Sequence, residues 1–293
     1  MTTENNSRTS TWKHTAKKAW KNTTTVLLPI IACVTAWIAA TGLASLLMPD
    51  KPVIATIIGN VFVIIVLGIH YTHRSRSEED NYIRSQTVGT DVIAVTLVST
   101  LCWWVSVQIF TILVNKSLDS KGYDEFNKAI SEAPVIAVIA LVLIVAPLAE
   151  EILFRGVAYR LLSTIMTIPA AIIISAALFG AIHGNAIQMI GAIPLGVTTA
   201  MVYEITRKLR LSIITHVFFN ATSVVMPIPV ILSVVANPVF AWPVIVISAV
   251  GGAAGWVFLA AKMPNVRQRY TRIENIDDAG QATISPETPD KEQ

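Results

Sequence analysis

Charge is what this chain has least of. Of its 293 residues only 14% are Asp, Glu, Lys or Arg, while 53% are hydrophobic and the mean hydropathy is +0.60. Soluble domains carry roughly 25% charged residues, so an ordinary water-soluble globule is excluded. Cysteine is nearly absent as well. Cys33 and Cys102 both fall in apolar runs, with no C-x-x-C and no metal spacing between them, which excludes a disulfide framework or a cysteine zinc module. There is no H-E-x-x-H segment, no glycine-rich phosphate loop and no internal repeat. No connection exceeds about 20 residues, which leaves no room for a separate soluble domain. The formal charge is +3 and the pI is near 8.9, yet the basic residues sit in short segments flanking apolar runs, without a nucleic-acid-binding motif. Membrane topology and anionic lipid account for them, and nucleic acid is not an expected partner.

What is present is a series of apolar runs long enough for the ~20 residues that span a hydrocarbon core. They lie near 24–48, 52–70, 91–115, 134–162, 165–184, 186–206, 211–234 and 239–262. The fold class predicted is therefore all-α, a polytopic membrane bundle of about eight transmembrane helices. Residues 1–23 form a polar tail, 24–262 the bundle, and 263–293 a polar C-terminal tail whose composition argues disorder. Across eight spans the basic residues at 74–84, at Arg155 and Arg160, at 207–210 and beyond Lys262 all fall on the side of the N-terminus. The positive-inside rule makes that side cytoplasmic, with both termini inside. Asn60, Ser99, Thr100, Ser106 and Gln108 are read as interhelical hydrogen-bonding groups, and Gly251, Gly252 and Gly255 as a close-packing face.

Two adjacent carboxylates, Glu150 and Glu151, interrupt the apolar stretch VIAVIALVLIVAPLAEEILFRGVAYRLL. A carboxylate at the bilayer centre costs on the order of 2.5–3.5 kcal/mol even on the lenient insertion scale, so such groups face a cavity or a partner. Neighbouring helical residues point about 100° apart, so the two cannot do the same job. Glu151 and Arg155 are an i,i+4 pair in the favourable order, which leaves Glu150 as the freer carboxylate. Pro147 disrupts the turn before them. The next ionisable groups deep in spans are His183, four residues after Phe179, and His216, four residues before Asn220. Glu204, beside Arg207 and Lys208, is given a boundary role. Taken singly, each group has a structural reading, as an ion pair or a packing hydrogen bond; together they offer a carboxylate, two imidazoles and an amide from three helices.

EEILFRG, SAALFGAIH and HVFFN resemble the three signatures E-E-x-x-x-R, F-x-x-x-H and H-x-x-x-(N/D) of the CPBP or Abi family, the intramembrane CAAX-type proteases. The likeness covers about 134–225, within a catalytic core expected at about 134–234, and Phe154 and Gly156 fit the extended first signature. The resemblance implies that Glu150 and His183 activate a water for attack on a peptide carbonyl. It further implies that His216 and Asn220 stabilise the oxyanion, while Glu151 and Arg155 position the first-motif helix. Whether a metal takes part stays open. Glu150, His183 and His216 would make a catalytic Zn2+ set with an open fourth position, and the same three groups can also work through water alone.

The expected function is an intramembrane endopeptidase acting on a membrane-associated protein or peptide, lipidated or not, in a bacterial plasma membrane, with its cavity open to the cytoplasm. Substrate and membrane lipid are the expected partners. A non-catalytic scaffold or bacteriocin-immunity-type protein is the alternative from another class. A transporter would be expected to show matching interrupted spans in two halves, which the sequence lacks. One geometric demand follows. Straight spans would put His183 near the outer end of the fifth and His216 near the inner end of the seventh; Gly180, Gly184, Gly191 and Pro194 suggest a break that brings them together.

Overall fold

The computed structural model describes residues 3–73, 87–114, 121–225 and 228–263, all helical apart from short turns and connections. The helices are α1 (Thr3–Leu47), α2 (Pro52–His73), α3 (Thr90–Val114), α4 (Lys121–Glu132), α5 (Val135–Leu162), α6 (Ile168–Ala181), α7 (Ala186–Thr206), α8 (Leu209–Val225), α9 (Ile228–Val235) and α10 (Pro238–Lys262). Helices α2, α3, α5, α7 and α10, with Thr24–Leu47 of α1, are long and apolar enough to cross a membrane. The arginines at 74–84 and the C-terminal tail beyond Met263 lie outside the described residues.

Two expected spans are shorter than the apolar runs that encode them. Helix α6 has 14 residues rather than the run 165–184: Pro169 occupies its first turn, and the chain turns at Ile182 and His183 into Gly184, whose φ of 69° favours glycine. The run 211–234 is divided between α8, of 17 residues, and α9. The junction reads Met226-Pro227, followed by Ile228 and Pro229 in the first turn of α9, and proline both lacks the N–H a helix interior needs and pushes its predecessor out of the helical region. His216 therefore sits in the middle of α8, not at the inner end of a long span.

Helix α5 is the axis of the bundle. From Ala149 to Tyr159 every residue is buried, and Leu153, Phe154, Arg155 and Tyr159 are among the largest fully enclosed side chains. Lipid-facing residues such as Leu43 and Leu46 on α1 and Ile247 and Val257 on α10 are exposed, as a membrane solvent allows. The glycine face of α10 seats it on α3. A Cβ at Gly252 would lie 2.6 Å from the Trp103 indole nitrogen, and one at Gly255 would lie 2.5 Å from Ser99 Cβ. Ser99 Oγ donates to the Gly252 carbonyl at 2.9 Å and Ser106 Oγ to that of Ile245 at 3.3 Å, as expected of interhelical polar groups.

Candidate active site

The local geometry of α5 follows from Pro147. Residues Leu141–Val145 are π-helical, and the Ala146 N–H bonds five residues back to the Leu141 carbonyl. The next donor in that register would be residue 147, which as proline has no N–H, so the Val142 carbonyl loses its helical partner. Asn220 supplies the missing donor from α8: its Nδ2 lies 2.8 Å from the Val142 oxygen. Because a carbonyl only accepts, this contact also fixes which way the Asn220 amide points. A second π-helix, Ile152–Tyr159, follows the two glutamates and carries Arg155.

The glutamates diverge as their helical phase requires. Glu151 is fully buried, and its Oε1 accepts from Arg155 Nη1 at 3.1 Å. Arg155 Nη2 donates to the Gly196 carbonyl on α7 at 2.7 Å, and its guanidinium lies 4.8 Å over the Phe179 ring. Gly196 also lets α7 approach α6 closely, since a Cβ there would lie 3.0 Å from both Cα and Cβ of Ala176. Glu150 turns instead toward a cavity of about 370 Å³, which it lines with Phe179, His183, His216, Phe219 and Asn220.

His216 bridges the pair. Its Nδ1 is 2.9 Å from Glu151 Oε1 and its Nε2 is 3.7 Å from Glu150 Oε2. The first contact makes Nδ1 the protonated nitrogen of a neutral ring and directs Nε2 toward Glu150. His183 shows the same logic. Its Nδ1 is 2.9 Å from the Phe179 carbonyl, which can only accept, so in the neutral ring Nε2 carries the lone pair. Both imidazoles pack edge-on against Phe179, with ring centroids 5.3 Å and 5.6 Å away. The short α6 and the mid-helix position of His216 bring the two histidines to one aromatic ring, which meets the geometric demand stated above.

The six motif residues are thus assembled, in an arrangement finer than helical spacing discloses. Glu150 Oε2 approaches His216 Nε2 at 3.7 Å; among the described residues no comparable contact links it to His183. No group of three His, Cys, Asp or Glu side chains among the described residues is arranged to hold a metal ion. Sequence reasoning missed one wall of the cavity. The segment 116–133, which joins two apolar runs of the sequence, contains α4, which contributes Tyr123, Phe126 and Asn127. Their spacing of three and four residues is the amphipathic signal that marks such a helix. Trp37 and Asn60 also line the cavity and are joined by a 2.9 Å hydrogen bond from Trp37 Nε1 to Asn60 Oδ1.

Glu204 lies at the far end of α7 and is fully buried rather than a boundary group. Tyr159 Oη donates to it at 2.6 Å and Arg207 Nη2 at 2.8 Å. This cluster ties the end of α5 to α7, away from the cavity.

No curated protein and no solved structure matches the chain. Residues 132–222 match the family model for type II CAAX prenyl endopeptidases of the Rce1-like kind, a segment that begins before α5 and ends just past Asn220. It contains Glu150, Glu151, Arg155, His183, His216 and Asn220, and over this segment, about a third of the chain, the protein is similar to the CAAX, or CPBP, family of membrane endopeptidases.

Proposed function

We propose that the protein is an intramembrane endopeptidase that hydrolyses a peptide bond of a membrane-associated protein or peptide through a water activated at Glu150. The observation that carries this reading is the single cavity that collects a carboxylate, two imidazoles and a carboxamide inside an otherwise apolar bundle. Glu150 takes a proton from water as the water oxygen bonds to the peptide carbonyl carbon. His183 Nε2, unprotonated in the tautomer that its Phe179 contact selects, assists that transfer. As the carbon–nitrogen bond breaks, the proton held by Glu150 passes to the leaving amine.

The developing oxyanion needs hydrogen-bond donors. Asn220 Nδ2 has a second hydrogen beyond the one given to Val142, and His216 donates from Nε2 when its ring is protonated. Protonated His216 would lie between two carboxylates. With Arg155 it would balance Glu150 and Glu151, so the buried group of four would carry no net charge. Glu151 and Arg155 act as positioning residues in this scheme, one orienting His216 and the other tying α5 to α7. No step in this scheme uses a metal.

The test compares purified wild type with Glu150→Gln, matched for folding, on prenylated and unprenylated membrane-anchored peptides, with products read by mass spectrometry. Products from wild type alone support the proposal. The same products from both, or none from either, favour a scaffold that binds a partner without hydrolysis.

A further inference from the structure

The cavity draws on one end of the bundle. Helix α3 reaches it through Gln108 and Thr111, near its C-terminus; α7 through Gln188, near its N-terminus; and α8 through Asn220 and Ser223, near its C-terminus. Helix α4, which follows α3 and precedes α5, adds Tyr123 and Phe126 from that same end, and Gly122 of α4 lies close to the Gly184–Asn185 turn between α6 and α7. At the opposite end Lys262 of α10 pairs with Asp91 of α3 at 2.7 Å, and the Tyr159–Glu204–Arg207 contacts fill the space between α5 and α7.

Charge is divided the same way. Toward the Lys262 end, the sequence between α2 and α3 sets Arg74, Arg76 and Arg84 among Glu78, Glu79 and Asp80, α5 ends near Arg160, α7 and α8 meet at Arg207, Lys208 and Arg210, and the polar N-terminal segment adds a run of lysines. The α4 end sets Lys51 beside Asp50, and Lys121 and Lys128 among Asp124, Glu125 and Glu132. Basic residues in short connections stay cytoplasmic. The start of α1 and the end of α10 thus lie at the end opposite the cavity, against the expectation that the cavity mouth shares their side.

We propose that the cavity opens on the extracytoplasmic face, and that the substrates are peptide segments presented from that side, exported or protruding at the membrane surface beside α4. A lipidated tail displayed on the cytoplasmic surface would meet the basic end, where the buried Glu204 contacts lie, not the polar cavity. The word substrate rests on the peptidase reading above; the side on which the cavity opens does not.

The test is topological. Lys128→Cys, on the exposed face of α4, and Arg210→Cys, exposed at the other end, are each placed in a chain carrying Cys33→Ala and Cys102→Ala. Both are expressed in bacterial cells and treated with a membrane-impermeant maleimide, as intact spheroplasts or after lysis. The expected result is a mass shift of one maleimide on Lys128→Cys in intact spheroplasts and on Arg210→Cys only after lysis. Labelling of Lys128→Cys only after lysis, or labelling of Arg210→Cys alone in intact spheroplasts, overturns the proposal. Should the cysteine variants fail to accumulate, trypsin treatment of spheroplasts bearing the wild-type chain reads the same geometry. Cleavage at Lys121 or Lys128 in intact spheroplasts supports it, and cleavage there only after lysis overturns it. Neither readout depends on hydrolysis, so the orientation can fail while Glu150-dependent cleavage stands, and the reverse.

Discussion

Replacing Arg155 with methionine should cost about 3–5 kcal/mol of stability, the range seen when one partner of a buried ion pair is removed and the other is left charged. The structure supplies the reasons. Arg155 and Glu151 are both fully enclosed, and Arg155 joins two helices through Glu151 Oε1 and the Gly196 carbonyl. Methionine fills much of the same space over Phe179, which separates the charge effect from a simple cavity. The Gly196 carbonyl lies inside α7, so the uncompensated carboxylate dominates the loss. At 1.4 kcal/mol per factor of ten, the folding equilibrium should fall by roughly two to four orders of magnitude. The assay is reversible unfolding in mixed micelles followed by tryptophan fluorescence, for Arg155→Met, Glu151→Gln and the double variant. The double variant should recover at least about half of the Arg155→Met loss, because no buried charge remains unpaired while His216 Nδ1–H keeps an acceptor in the amide oxygen at position 151. A cost below about 1 kcal/mol for Arg155→Met, or a double variant that simply sums the two single losses, would refute the reasoning.

Three further outcomes are expected. Asn220→Ala leaves the Val142 carbonyl without its donor and should cost about 1–3 kcal/mol; adding Pro147→Ala restores a backbone N–H on that turn and should relieve part of the loss in the same unfolding assay. Gly196→Ala drives a methyl group against Ala176, should cost about 1–3 kcal/mol, and should lower cleavage by moving the carbonyl that holds Arg155, as read by thermal unfolding and product formation together. Treatment with a chelator should leave cleavage unchanged, since the proposed steps run through Glu150, His183, His216 and Asn220 without a metal, and loss of activity restored by added Zn2+ would overturn that proposal.

Much of this was legible in the sequence because lipid is an unforgiving solvent. Six spans lie close to their apolar runs, and ionisable groups stranded at membrane depth marked Glu150, Glu151, Arg155, His183 and His216 before any geometry was known. Helical phase also separated the enclosed Glu151 from the cavity-facing Glu150. Three features were not legible. The two π-helical stretches change register without changing composition; only Pro147 hinted at the first, and the role of Asn220 as its backbone donor requires the packing of α8 against α5. Helix α4 was obscured by its charges, since no residue of it is buried and its apolar edge has only Tyr123, Phe126 and Ile130. The bridge from His216 to both carboxylates depends on where α8 begins and ends, which the continuous apolar run 211–234 conceals.

The central claim is that Glu150 delivers water to a peptide bond, and cleavage in ¹⁸O-labelled water tests it most directly. Wild type and Glu150→Gln, matched for folding, are incubated with one membrane-anchored peptide, and the new C-terminal carboxyl is weighed. The account predicts one solvent-derived ¹⁸O in the wild-type product at a single bond and no product from Glu150→Gln. Equal cleavage by both proteins, or a product whose new carboxyl carries no solvent oxygen, would contradict it.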